Sequence, residues 1–134
     1  MKKGFKTTPV SRITLFCRDL EKSLALYRDI LGFEEVESKT IQTKAFNELM
    51  NIHDKNCFVR ISYLQSERSD HGLIALFEIN SSELDKNQSI QTTQIQYGQS
   101  VIVLSTKDHK KIYRELKKKD YTFLVEPTEY EKLE

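Results

Sequence analysis

The chain has 134 residues, 38% of them apolar, enough for one hydrophobic core and not for two independent ones. Its 21 basic and 20 acidic side chains leave a formal charge of +1, so net charge recruits neither nucleic acid nor an anionic membrane, and neither is expected as a partner. No apolar run approaches the ~20 residues of a membrane span, and Met1-Lys2-Lys3 is not followed by the apolar core of a signal peptide, so a cytoplasmic protein is expected.

Residues 1–9 are basic and polar and read as a loose arm. Arg12 to Cys17 alternates as a strand, with Ile13, Leu15 and Cys17 on one face and Arg12, Thr14 and Phe16 on the other. Asp19 is placed as an N-cap, and Leu20, Leu24, Tyr27 and Leu31 form a stripe at helical spacing. Gly32 ends that helix, being able to take positive φ, and Phe33 to about Thr43 returns as a long polar strand. Ala45 to Ile52 reads as a short helix packing through Phe46, Leu49 and Met50 and ended by Asn51. Cys57 to Gln65 and Leu73 to Ile79 are strands, joined into a hairpin through the turn-forming SERSDHG. Residues 81–98 have the composition of a polar linker.

The opening pattern then returns. Val101 to Leu104 is a short apolar run, Asp108 starts a helix carrying Ile112, Tyr113 and Leu116, and Tyr121 to Val125 is another strand. Shifting the first unit by about 88 positions lays Ile13 on Val101, Leu24 on Ile112, Gly32 on Asp120 and Phe33 on Tyr121. Lys117, Lys118 and Lys119 close the second helix, where cations complement its dipole. TEYEKLE, at 128–134, reads as a short helix or a tail. These elements predict an α+β fold in one domain, with module one at about 10–80, the linker at 81–98 and a partial module two at 99–134. Both module helices are expected on one face of curled mixed or antiparallel sheets, leaving the other face to line a cup.

The runs ITLFCRDLEKSLALYRDILGF, AFNELMNI, GLIALFEI and VIVLSTKDHKKIYRELKKKDY resemble the vicinal oxygen chelate superfamily, the glyoxalase, bleomycin-resistance and extradiol-dioxygenase group. The resemblance implies paired βαβββ modules around a cup. In metal-dependent members a divalent ion held there chelates neighbouring substrate oxygens. Its ligands come from the start of strand one, the fourth strand, the first strand of module two and the last strand of module two. On this chain the first three places carry Arg12, Ala75 and Ser100 (Val101 in a register shifted by one), none of them a ligand; the fourth has no counterpart before Glu134. Glu78 has the wrong parity to share a face with Ala75.

A guanidinium in the imidazole's place opposes a dication: at an effective dielectric of about 20, like charges a few ångströms apart repel by several kcal/mol. No metal or other cofactor is therefore expected, a Zn, Ni, Mn or Fe ion being the alternative. Arg12 instead suits an anionic or carbonyl-bearing small ligand, which it can hold by two parallel hydrogen bonds, or else it ends a strand in solvent or beside an acid. The residues assigned to the ligand-binding face are Arg12, Thr14, Phe16, Arg60, Ser62, Ala75, Phe77 and Ser100, with Phe5 and Tyr63 as further aromatic lining.

His53, His71 and His109 read as surface histidines, and Cys17 and Cys57, lacking any CxxC partner, as buried thiols. No Gly-x-Ser-x-Gly or recognisable Cys/His context points to nucleophilic catalysis, so catalytic residues stay unassigned. A module short of its last strands exposes a sheet edge, which a second copy of the chain, strand two and the polar bridge, or a longer natural chain would cover; a homodimer is expected. Three functions stay open: a metal-free small-molecule-binding protein, an enzyme of the glyoxalase or dioxygenase class with displaced ligands or metal-free chemistry, and a structural or regulatory partner with a vestigial cup.

Overall fold

A computed structural model describes residues 4–87 and 94–127. They divide into two compact units, one running to about residue 88 and the other following it. Part of the polar linker and all of TEYEKLE lie outside the described residues.

The first unit runs β1 (Arg12–Phe16), α1 (Leu20–Leu24), β2 (Glu34–Ile41), α2 (Lys44–Leu49), β3 (Phe58–Gln65) and β4 (Leu73–Asn80). The four strands form one open mixed sheet in the order β1-β4-β3-β2. β1 runs parallel to β4, and the β4–β3 and β3–β2 pairs are antiparallel. The parallel pairing follows from the helical crossover between β1 and β2, whereas the antiparallel pairs need only loops. This is a βαβββ arrangement with α2 inserted between β2 and β3, and the α+β class expected from the sequence holds.

Local chemistry accounts for the element ends. Asp19 caps α1, its Oδ1 accepting the Lys22 N–H at 3.2 Å. α1 then widens into a π-helical stretch, Ala25–Ile30. That change of pitch breaks the predicted stripe: Leu20 and Leu24 are buried, whereas Tyr27 and Leu31 are only half-buried. Gly32 follows at φ 80°, as its position predicts. Thr43 caps α2 by accepting the Phe46 N–H at 3.2 Å. Of the three side chains expected to pack from this short helix, Phe46 and Met50 do, but Leu49 is 79% exposed, because six residues present only one narrow face to the sheet.

The strand register sorts the sheet into two faces. Ile13 and Leu15 lie beside Ile74 and Leu76, and Ser62 and Leu64 continue that face. It carries α1, tied down where Glu78 Oε2 accepts the Leu20 N–H at 2.7 Å. The opposite face holds Ala75, Phe77, Val59 and Ile61, which join Ile52 and Cys57 in a buried cluster with Phe46 and Met50 of α2 against it. The face expected to be free is thus roofed at one end by α2.

The second unit contains α3 (His109–Lys118), with Ile112, Tyr113 and Leu116 half-buried. Tyr113 packs edge-on to Phe123, ring centroids 5.1 Å apart. Asp120 takes φ 61° after the helix, the counterpart of Gly32. Residues 101–104 and 121–125, read from the sequence as strands, carry no sheet pairing among the described residues. Val101 and Val103 are 70% and 85% exposed, so the apolar run there has no packed face to hold it as a strand.

Candidate functional site

On the α2-bearing face the register lays residues in rows across the strands. One row is Thr14, Ala75, Tyr63 and Glu37; the next is Phe16, Phe77, Ile61 and Lys39; Arg12 lies beside Leu73 at the strand ends. α2 covers the lower rows, with the Phe46 and Phe77 ring centroids 6.0 Å apart. The upper end, around Arg12 and Tyr63, is where polar side chains meet.

There Arg12 reaches from β1 across β4 toward β3, and its guanidinium carbon lies 5.2 Å from the Tyr63 ring centroid. The small Ala75, fully buried between Thr14 and Tyr63 in the register, leaves room for that crossing. Lys39 Nζ lies 5.2 Å from the same centroid. A tyrosine π-system attracts cations, and two of them use this one ring. Lys39 also meets Glu37 Oε1 at 3.2 Å, whereas Arg12 has no acidic partner among the described residues. Two cations against one carboxylate leave the cluster one positive charge in excess, beside an aromatic ring and the exposed Phe16, itself 6.0 Å edge-on from Phe77.

Of the residues assigned to this face from the sequence, Arg12, Thr14, Phe16, Ala75 and Phe77 share it. Phe5 is fully exposed and lies on no strand. Arg60 and Ser62 do not share it. In register Arg60 pairs with Glu78 and Ser62 with Leu76, which puts both on the α1 face. Arg60 donates to Glu21 Oε1 at 3.0 Å and lies 3.5 Å from Glu78 Oε1, while the buried Ser62 hydroxyl donates to Glu35 Oε2 at 2.5 Å. The correction is one of parity. Tyr63 and Ser62 are neighbours and cannot face the same way, and the register, Tyr63 opposite Ala75 and Ser62 opposite Leu76, decides which does. Ser100 is an exposed residue of the second unit, in no strand.

Lys39 and Glu37 were not legible as site residues. β2 has an irregularity between Glu35 and Glu37, one extra residue that lets Glu35 face α1 and Glu37 face Tyr63. Counting by twos from Glu35 gives the wrong side. The apolar Ile41, at the far end of the same alternation, is the signal that points Lys39 and Glu37 inward.

The residues present do not fit a divalent metal. The face that would hold it carries Arg12 and Ala75 where the first two ligands belong, and a second cation, Lys39, stands across the ring. Glu78 lies on the other face, as its parity predicts. Among the described residues no three His, Cys, Asp or Glu side chains gather as a metal-binding group. His53, His71 and His109 are exposed. Burial pushes both thiols, Cys17 and Cys57, upward in pKa, which keeps them protonated and poor as nucleophiles.

A separate hollow of about 320 Å³ lies beside α2, lined in part by Lys44, Asn47, His53 and Asp54. Asn47 donates to the Asp54 carbonyl at 3.4 Å, and its buried Oδ1 has no partner among the described residues. Asp54 ties the neighbouring loop together, its Oδ2 accepting from Ser82 N–H at 2.9 Å and from the Ser81 hydroxyl at 3.1 Å. The Ser82 and Asn56 N–H groups hold its carboxyl below the usual range.

Among the described residues no helix is long and apolar enough to cross a membrane. A crystal structure described as a glyoxalase family protein from Bacillus cereus matches 98% of this chain and 85% of its own, with a TM-score of 0.71 at 11% identity, a likeness of fold alone. No curated protein matches the chain. Residues 10–132 match the model of the Glyoxalase/Bleomycin resistance protein/Dioxygenase superfamily, and with its βαβββ sheet the chain belongs to that superfamily.

Proposed function

We propose that the protein binds a small anionic molecule, aromatic or carbonyl-bearing, on the face of the sheet that carries Tyr63, and that it does so without a metal. The observation that carries this reading is the pair of cations, Arg12 and Lys39, each 5.2 Å from the Tyr63 ring centroid, with a single carboxylate, Glu37, paired to Lys39. A carboxylate on Arg12 forms two charge-assisted hydrogen bonds, and a flat ring stacks against Tyr63 or Phe16. α2 and the apolar cluster it covers wall that face at one end. The working form in this reading is a cytoplasmic homodimer, in keeping with the two unpaired cysteines and with β1 as an edge strand of the sheet.

The test is calorimetric titration of wild type and Arg12→Ala with benzoate-type and 2-oxo carboxylates. A ligand found for wild type is expected to bind at least about tenfold more weakly to the variant, the loss of a charge-assisted contact. Equal affinity retires the role of Arg12. Elemental analysis of the purified protein separates binding from metal-dependent catalysis: stoichiometric Zn, Ni, Mn or Fe, lost together with an activity on chelation, overturns the metal-free reading.

A further inference from the structure

The net charge of +1 conceals an uneven distribution. Residues 107–119 hold seven cations against two acids, a local charge of +5, so the rest of the chain carries −4. α3 and its flanks concentrate this charge on one side. Lys110, Lys111, Arg114 and Lys118 recur along α3 so that they fall within about 100° of helix surface over about 12 Å, and Lys107, just before the helix, joins them. All five are exposed, and none has an acidic partner among the described residues. Lys117, by contrast, is taken up by Glu126 Oε1 at 2.5 Å. The apolar side of the helix, Ile112, Tyr113 and Leu116, is half-buried and turned away from the stripe. Lys107, Lys110, Lys111 and Arg114 also line a shallow hollow of about 390 Å³.

We infer that this stripe docks an acidic polypeptide segment, a helix presenting carboxylates at the same three- and four-residue spacing. Three features favour that occupant over other polyanions. The lane is narrow: Asp108 and Glu115 border one edge, and Glu126 sits beside Lys117 at the other, so a flat anionic membrane or a duplex meets carboxylates as well as cations. Four of the five cations are lysines, compact point charges on flexible stems, and only Arg114 offers the planar guanidinium that stacks on bases in nucleic-acid recognition. No aromatic or apolar side chain interrupts the stripe, so it offers neither a platform for bases nor a wedge for lipid. The helical spacing of about 5–6 Å between neighbouring cations matches that of carboxylates on a facing helix.

The test uses the full chain and a fluorescein-labelled helical peptide of 16 to 20 residues (about five turns) with Glu at i, i+3, i+4 and i+7 on one face, read by anisotropy at low salt. Binding is expected to weaken steeply with added salt and to fall at least about tenfold in Lys110→Glu/Lys111→Glu/Arg114→Glu. The charge-keeping Lys110→Arg/Lys111→Arg/Arg114→Lys retains it, and circular dichroism checks that both variants fold. A peptide of the same composition with its Glu residues scattered around the helix binds more weakly. The proposal is overturned if the patterned peptide does not bind, if the reversed-charge variant binds it as well as wild type, or if the scattered peptide binds equally. It is also overturned if a random-sequence duplex or vesicles containing phosphatidylserine bind more tightly than the peptide.

Discussion

Glu78 concentrates the polar chemistry of the α1 face in one side chain. It is 7% exposed, and it accepts the Leu20 N–H at 2.7 Å and the Asn80 amide at 3.2 Å, with Arg60 at 3.5 Å. The first N–H groups of a helix have no partner within it, and a carboxylate supplied from β4 meets one of them while complementing the dipole. Burial alone would push the Glu78 carboxyl upward; the Leu20 N–H, the Asn80 amide and the charges of Arg60 and Lys86 outweigh it and hold the carboxyl below its usual range. With the folded-state value below the unfolded one, the stabilisation is complete above the ordinary carboxylate range and is lost as pH falls through the lowered value. Glu78→Gln keeps an acceptor but removes the charge. It is expected to cost about 1–2 kcal/mol near neutral pH and to flatten the decline in stability on acidification, measured by urea unfolding across pH.

Elements carry their own strain and their own shifts of phase. At the tip of the β3–β4 hairpin Glu67 and Arg68 take φ 54° and 57°, and the Ser69 N–H donates to the Ser66 carbonyl at 3.2 Å. Two left-handed residues at the centre of the turn Ser66–Ser69, within the loop between β3 and β4, match the pattern that Asn-Gly fills without steric cost. Glu67→Asn/Arg68→Gly is therefore expected to stabilise the fold by about 1–2 kcal/mol, seen as a rise in Tm. The SERSDHG stretch announced a turn, but not which two of its residues would sit in the left-handed region. The same limit applies to β2, where one extra residue reverses the parity that brings Lys39 to Tyr63, and to α1, where a π-helical stretch takes Tyr27 off the predicted stripe. Periodicity reads the elements; it does not read an inserted residue.

At the scale of the molecule, the open sheet leaves β1 and β2 as edges among the described residues. β1 is the more hazardous, since Ile13 is 40% exposed and Phe16 67% exposed, one on each face of the same short strand. An edge strand with apolar side chains invites another strand or another chain. The proposed homodimer covers this edge, so Phe16→Asp is expected to shift sedimentation velocity from dimer to monomer at micromolar concentration. A wild type that sediments as a monomer across that range retires the dimer.

Alternation, capping residues and turn chemistry in the linear chain determined the α+β class, the βαβββ order, the two faces of β1 and the place of Arg12 opposite Ile13 and Leu15. These depend on neighbours within a few residues, which a sequence displays directly. Only the tertiary structure decided that Arg60 and Ser62 serve the helix side, that α2 roofs one end of the other face, and that Lys39 and Arg12 share one tyrosine ring. Each of those outcomes turns on strand register, a bulge or a contact between residues far apart in the chain. Small free-energy differences in packing settle such matters, and no local pattern records them.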